Sequence, residues 1–443
     1  GYANKTSILG MDDKWIAPGM EFIAGGYQER DMLGNKTNFI FANHAAENNW
    51  VVDTNNYQYI STQYAVNHTE NMTFKASVKP IKSLRIDLSA DRNLMENRTS
   101  NLGIGDDNSF ALLNNQFNGS FSTSIISWKT AFSQDVMNDT TLNNQIWENL
   151  LSYRTEISSL ISQSNPNASN NLENTGYYSG YDSSQQDVII GAFICAYLGE
   201  SPTLNNINPL SKRIPLPNWR ITFDGLGKIK AFKKYIKKLS FTHAYRSNFS
   251  LGNYTTNLNG QWDGEGNATE TDIAGNFISQ KQIMTMNILE QFAPLLGVDL
   301  TLSNNMSVKF EIKKDRNISL SLSNNQITEI KGSEIKFGSG YTWRKLSLPI
   351  KIAGKTLDPS DLRMRLDVAV RDNKTIIRKI VENQNQYTAG QTAVTIQFSG
   401  DYNLTKQLML RIYFDRRVNT PHVSNSFPTA NTNAGFALRF QLR

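Results

Sequence analysis

Apolar and polar residues alternate along much of this chain. At its end, Phe436, Leu438, Phe440 and Leu442 fall on one side and Ala437, Arg439, Gln441 and Arg443 on the other. Successive side chains of a strand point to opposite faces, so this pattern predicts a two-faced β-strand. It recurs upstream, where Leu408, Leu410, Ile412 and Phe414 interleave with Met409, Arg411, Tyr413 and Asp415. Leu362, Met364, Leu366, Val368 and Val370 interleave with Arg363, Arg365, Asp367, Ala369 and Arg371, and Met306, Val308, Phe310 and Ile312 with Ser307, Lys309, Glu311 and Lys313. The second face carries ionised groups and must meet water. Both a half-solvated soluble sheet and a transmembrane barrel with a wet lumen fit the pattern. With 39% apolar residues, strict eight-residue alternation arises about twice by chance, so repetition carries the weight. Beyond about residue 297 the chain is tiled by segments of roughly nine to eleven residues, the length of a tilted bilayer-crossing strand. Tight turns are expected at Ser303-Asn304-Asn305, Asp372-Asn373 and Tyr402-Asn403-Leu404-Thr405.

Periodicity divides the chain into three regions. Residues 1–135 read as barrel strands and loops: Asn71 to Lys79, then Leu84, Ile86, Leu88 and Ala90 in alternation, then a Ser/Thr-rich strand from Gly119 to Phe132 that carries Trp128. Residues 136–216 change character. Leu142, Ile146, Leu150, Tyr153, Ile157 and Leu160 recur at three- and four-residue steps, which is helical spacing. Asp187 to Leu198 reads as a second, almost wholly apolar helix, too short to span a bilayer. This pair is expected to dock inside protein as a cap, plug or rim insertion. Residues 217–443 return to strands, interrupted by Gly227 to Lys238, whose six lysines surround Ile229, Phe232, Tyr235 and Ile236. That stretch reads as a solvated connector or as a basic turn of helix at an anionic membrane surface.

Composition narrows the choices. No stretch approaches 18 consecutive apolar residues, which excludes transmembrane helices but not a barrel. The chain opens at Gly1 without a charged or apolar leader and reads as a piece of something longer. The single Cys195 permits no intrachain disulfide and, lying in an apolar run, reads as a buried structural thiol. The net charge of +6 comes without a basic stripe interleaved with aromatics, so no nucleic-acid partner is expected. His44, His68, His243 and His422 show no ligand spacing, and no nucleophile elbow, phosphate loop or dinucleotide fingerprint occurs. Acidic residues such as Asp106-Asp107 and Asp263 with Glu265 read as solvated loop charge. No enzyme, metal or cofactor is expected.

Some stretches are more particular than alternation. They include Ser83-Leu84-Arg85-Ile86-Asp87-Leu88, Trp128-Lys129-Thr130-Ala131-Phe132, Gln186-Asp187-Val188-Ile189-Ile190-Gly191-Ala192-Phe193 and Pro217-Asn218-Trp219-Arg220-Ile221-Thr222-Phe223-Asp224-Gly225-Leu226. His243-Ala244-Tyr245-Arg246-Ser247, Glu290-Gln291-Phe292-Ala293-Pro294-Leu295-Leu296-Gly297, Arg371-Asp372-Asn373-Lys374-Thr375-Ile376-Ile377-Arg378-Lys379-Ile380 and Ser426-Phe427-Pro428-Thr429 follow. In this order, from about residue 57 onward, the chain resembles the C-terminal part of the SprA/Sov family, the outer-membrane translocon of the Bacteroidetes type IX secretion system.

The resemblance implies the fold class: an all-β membrane protein, the C-terminal portion of a very large antiparallel transmembrane β-barrel with a helical insertion. It implies a protein-conducting channel that exports folded proteins bearing C-terminal targeting domains, gliding-motility adhesins among them. The implied partners are a PorV-type outer-membrane barrel, a periplasmic plug protein, secreted cargo proteins and outer-membrane lipid. A TonB-dependent importer, a porin-type barrel and a soluble β-rich surface adhesin are the alternatives. The chain is shorter than the family and ends in Arg443 rather than in a terminal aromatic. With a periplasmic C-terminus, Leu408, Leu410, Ile412, Phe414, Phe436, Leu438, Phe440 and Leu442 are expected to face lipid. Arg411, Asp415, Arg439 and Gln441 are expected to face the lumen. Asp372-Asn373 and Asn403-Leu404 become short periplasmic turns, and Arg417 to Ala434 a longer extracellular loop.

Overall fold

The computed structural model describes residues 2–7, 62–104, 110–138, 141–212, 214–229, 234–263, 266–347, 349, 351–352, 355–356, 358–405, 407–423 and 426–440. The expectations for Asp106-Asp107, Glu265, Gln441, Leu442, His44 and part of the lysine-rich stretch lie outside them.

The alternating segments form one antiparallel sheet of fourteen strands. Its N-terminal part comprises β1 (Tyr2–Ser7), β2 (Thr62–Ile81), β3 (Leu84–Ile104) and β4 (Phe110–Ser124). After two short strands, β5 (Val136–Asn138) and β6 (Thr141–Asn143), come the helices α1 (Gln145–Ser164) and α2 (Gln186–Leu198). The sheet resumes with β7 (Asn218–Phe223), β8 (Ile236–Thr256), β9 (Lys281–Ile283), β10 (Thr285–Leu302), β11 (Ser307–Ser321) and β12 (Gln326–Leu346). A two-stranded ribbon, β13 (Lys351–Ile352) and β14 (Lys355–Thr356), precedes β15 (Ser360–Lys379), β16 (Gln384–Asn403), β17 (Leu408–Pro421) and β18 (Thr429–Phe440). The order is β1-β2-β3-β4-β8-β10-β11-β12-β15-β16-β17-β18, and among the described residues β1 and β18 are open edges.

One strand position is broken. Both β4 and β7 pair with β3 on one side and β8 on the other. On β3, Arg92 pairs with Thr123 and Ser89 with Asn218, so β7 resumes almost where β4 stops. The cut ends are stitched together: Leu216 N donates to Ser124 O (2.9 Å) and Ser124 Oγ to Leu216 O (2.7 Å). Residues 125–217 therefore leave and re-enter the sheet at a single point. In the same way β9 and β10 share one position beside β8, which leaves twelve positions for the fourteen strands.

Both helices occur where the periodicity places them. Asn144 caps α1 by accepting from Ile146 N (2.8 Å), and Gly199 ends α2 in the left-handed conformation at φ 67°. α2 has no polar face and is buried throughout from Val188 to Leu198, as a helix apolar all round must be. Gly191 lets it approach α1: a Cβ there would stand 2.9 Å from Ile207 and 3.1 Å from Ile157. The helices pack on a sheet surface made of Phe121, Phe249, Leu251, Met286, Ile288, Ile318, Leu320 and Ile327.

Several expectations need correction. The main-sheet strands from β10 onward, leaving aside the two-residue ribbon strands β13 and β14, are 12 to 21 residues long, not nine to eleven. Asp372-Asn373 is no turn: both residues lie inside β15, paired to Ser333 and Gly332 of β12. The polar break in the apolar face mimicked a turn, but the backbone ladder continues through it. The loop expected over Arg417 to Ala434 shrinks to 422–428, because β17 and β18 pair as far as Asn419 and Thr429. The strand expected from Gly119 to Phe132 ends at Ser124, and Trp128 stands in a turn, so the insertion begins at 125 rather than 136. The lysine-rich stretch supplies a short 3-10 helix, Leu226–Lys228, and then the start of β8. The turn at Ser303-Asn304-Asn305 is present, with Asn305 at φ 66°, and the β16–β17 turn occupies 404–407.

Candidate functional site: an apolar and a charged face

Residues paired directly across antiparallel strands share a face. Leu408 pairs with Phe440, Leu410 with Leu438, Ile412 with Phe436 and Phe414 with Ala434. The seven described members of the expected apolar set therefore stand together. Their face continues inward, with Leu410 opposite Tyr402, Phe414 opposite Phe398, and Leu366 opposite Phe398 in turn. Farther across, one row runs unbroken through Leu84, Phe223, Phe241, Val298, Phe310, Phe337, Val368 and Ile396, each paired to the next. Arg416 ends that row on β17, where the apolar residues sit lower along the strand. Such a diagonal drift is what tilted strands produce when a level band crosses them. The band is open to its surroundings: Phe436 is 74% exposed, Phe440 59%, Leu438 58% and Ile412 51%. A contiguous apolar surface of this extent is unusual on a soluble monomer.

The opposite face is charged. Arg411, Asp415 and Arg439 lie on it, opposite Ala437, Asn433 and Met409. Ion pairs lace it together: Arg411 to Asp401 (3.7 Å), Arg365 to Asp367 (2.5 Å), Arg371 to Asp315 (3.5 Å), and Lys313 to both Glu311 and Glu334 (3.5 Å each). A groove of about 620 Å³ opens there beside the broken strand, bordered by Lys75, Asp87, Arg220, Arg246 and Gln291.

The helices rest on the apolar face, not on the charged one. Ile327, Glu329, Lys331, Ser333, Ile335 and Phe337 alternate along β12 with no register shift against β11, so they share one side. Ile327 lies beneath the helices, whereas Ile335 and Phe337 are 49% and 40% exposed. One continuous face is thus covered by the insertion at one end and bare at the other.

Between these zones lies a buried ionic cluster that sequence reasoning missed. Arg316 bridges Glu290 (2.9 Å) and donates to Thr130 O (3.0 Å) and Thr130 Oγ1 (2.9 Å). Glu290 also accepts from Tyr245 OH (2.9 Å) and Ser127 Oγ (2.6 Å). Arg378 reaches Asp135 (2.8 Å) and Glu329 (3.0 Å), while Lys331 holds Asp135 (2.5 Å) and Glu329 (3.3 Å). Burial disfavours ionised Asp135, but Lys331 and Arg378 outweigh it and hold the carboxyl below the ordinary range. Ser127, Thr130 and Asp135 belong to the insertion and the others to the sheet, so the cluster clamps one onto the other. The available signal was a charge in an apolar phase: Glu290 between Ile288 and Phe292, or Arg378 after Ile376.

Each of the three described histidines has a polar neighbour: His243 Nδ1 lies 2.7 Å from Leu295 O, His68 meets Glu70 (3.1 Å) and His422 meets Asp372 (2.5 Å). Among the described residues no group of three His, Cys, Asp or Glu is placed to hold a metal. Cys195 is buried, and burial pushes its thiol up to about 12. No described helix is long and apolar enough to cross a membrane, which says nothing of strands.

No family model matches the chain, and no curated protein matches it. Among solved structures it is similar to in-vitro folded OmpT, an outer membrane protein of Vibrio cholerae in its trimer form, at 9% identity over 85% of this chain and 98% of that one. The TM-score is 0.20, too low to carry an argument from one fold to the other.

Proposed function

We propose that this chain forms part of the wall of an outer-membrane β-barrel, and that the barrel is the protein-conducting channel of a type IX secretion system. The observation that carries the membrane reading is the bare apolar band with a charged face behind it. On β15 the band runs from Leu362 to Val370, about 30 Å along the strand at 3.3 Å per residue. Tilted by roughly 40°, that is about 23 Å along the membrane normal, near the apolar height of outer-membrane barrels. A soluble adhesin would pack this face on itself, and nothing among the described residues covers Phe436, Leu438 or Phe440. In the membrane reading the charged face lines the lumen, and the insertion clasps the outside of the wall beyond the bilayer. It is then a rim element rather than a plug.

The secretion reading rests on the ordered motifs that resemble those of the SprA/Sov family, and that resemblance implies the partners: a PorV-type barrel, a periplasmic plug protein and cargo. Among the described residues, two edge strands, β1 and β18, suit a wall completed by further strands. Depleting the full-length protein should trap targeting-domain cargo in the periplasm. Unchanged secretion would remove this reading while leaving the barrel intact.

A further inference from the structure

The insertion meets the apolar band along one short segment. Backbone bonds from Thr130 N to Ser127 O, Ala131 N to Trp128 O and Ser133 N to Thr130 O wind residues 127–133 into successive tight turns. That winding sets Trp128 and Phe132, four residues apart, toward the sheet's aromatic row. Trp128 packs edge-on against Trp219 at 5.9 Å, and Phe132 lies 5.3 Å from Phe292. Trp219 pairs with Tyr245, and Tyr245 with Phe292. The next residues on that face, toward the turn end, are Ile221, His243 and Leu296, where the bare band begins. From above, the turn is pinned by Ser127 to Glu290, by Thr130 Oγ1 to Tyr197 O (2.6 Å) and by Arg316 to Thr130. Yet Trp128 remains 52% exposed and Phe132 49%. Lysines stand beside them: Lys129 is exposed, and Lys314 Nζ sits 4.3 Å from the centre of the Phe132 ring.

We infer that residues 127–133 form an interfacial anchor, in which Trp128 and Phe132 seat the rim insertion on the bilayer surface while Lys129 and Lys314 meet anionic headgroups. The inference rests on the barrel reading and deepens it. Half-exposed aromatics on a rigid turn, continuous with an apolar band and flanked by cations, match the chemistry of a membrane–water interface. The lower edge of the insertion then marks the level of the lipid headgroups. The partner is the lipid surface itself, not a protein.

Spin labels test this in the full-length protein in lipid nanodiscs, with cysteines outside this chain replaced by serine. Cys195 is buried and resists labelling. Labels would be placed at Trp128→Cys and, separately, at Phe132→Cys. Leu172→Cys, on the far hairpin of the insertion, is the aqueous control, and Leu438→Cys in the band is the lipid control. The expected result is collision with oxygen well above that with a water-soluble nickel chelate at 128 and 132, and the reverse at 172. A nickel-accessible label at 128 and 132 with a lipid-exposed label at 438 would overturn the anchor and leave the barrel standing. An aqueous label at 438 as well would overturn both. Shielding of 128 and 132 from both reagents would mean a protein covers the turn, which also overturns the anchor.

Discussion

Ile412→Arg and Arg411→Leu change neighbouring residues on opposite faces, so together they test which face meets lipid. Ile412 is 51% exposed, beside Phe436 and Gly400, and its replacement removes little packing. Leu410 is a poorer probe, since it packs against the small cluster of Tyr402 and Leu404. An arginine on the lipid face near the midplane costs about 2 to 4 kcal/mol, or roughly 30- to 800-fold in the folding equilibrium. Arg411→Leu removes a half-exposed ion pair of 3.7 Å to Asp401, worth about 0 to 1 kcal/mol. The assay is denaturant unfolding of the full-length protein in lipid vesicles, with heat-resistant mobility on gels as a readout of assembly. Ile412→Arg should lower stability or assembly strongly, and Arg411→Leu only slightly. A soluble sheet predicts that Ile412→Arg is neutral or improves solubility. Equal effects, or the opposite order, would refute the assignment of faces.

Three further outcomes follow from the insertion. Arg378→Ala leaves two buried carboxylates, Glu329 and Asp135, to Lys331 alone, and should cost about 3 to 5 kcal/mol by chemical unfolding, whereas Arg378→Met with Glu329→Leu should cost far less; similar losses would deny the clamp. Asp135 titrates below its ordinary range in the folded protein, so its contribution is full above about pH 4 and is lost as pH falls through the folded value. The protection of α2 against hydrogen exchange, taken relative to the intrinsic exchange rate at each pH, should therefore fall on acidification below pH 4 and, in Asp135→Asn, lose that component of its pH dependence. Gly191→Val, forced against Ile157 and Ile207, should lower the stability of the insertion by about 1 to 3 kcal/mol in the same exchange measurement, and no change would mean that the helix pair is loose.

Strand and helix types were legible because each follows from a period: two for β11, β15, β17 and β18, and three to four for α1. Strand lengths were not. Asp372 and Lys374 on β15, and Lys314 and Arg316 on β11, occupy the same face as the apolar residues and so imitate the end of a strand. Their tolerance there depends on covering groups remote in sequence, such as Thr130 above Arg316 and Asp135 above Arg378. A single strand's pattern holds no record of them. The boundary of the insertion was hidden for the same reason, since residues 125–132 are as apolar and Ser/Thr-rich as β4 itself. The faces of Ile412 and Arg411 could be read, because alternation fixes relative side even where register is unknown.

The division of one face between two coverings accounts for the odd composition of both. A strand of 20 residues such as β15 is about 66 Å long, more than twice what a tilted bilayer crossing needs. Where lipid would cover the wall, the face must be uniformly apolar, and from Leu362 to Val370 it is. Beyond that limit the wall still requires a cover, and α2, with no polar side, supplies it over Ile318, Leu320 and Ile327. Protein offers hydrogen-bond partners that lipid does not, so Glu290, Arg316, Glu329 and Arg378 can stand on that stretch of the face and nowhere within the band. The buried charges and the apolar helix are therefore one arrangement, and the line where charges first appear on the apolar face marks where the proposed bilayer ends.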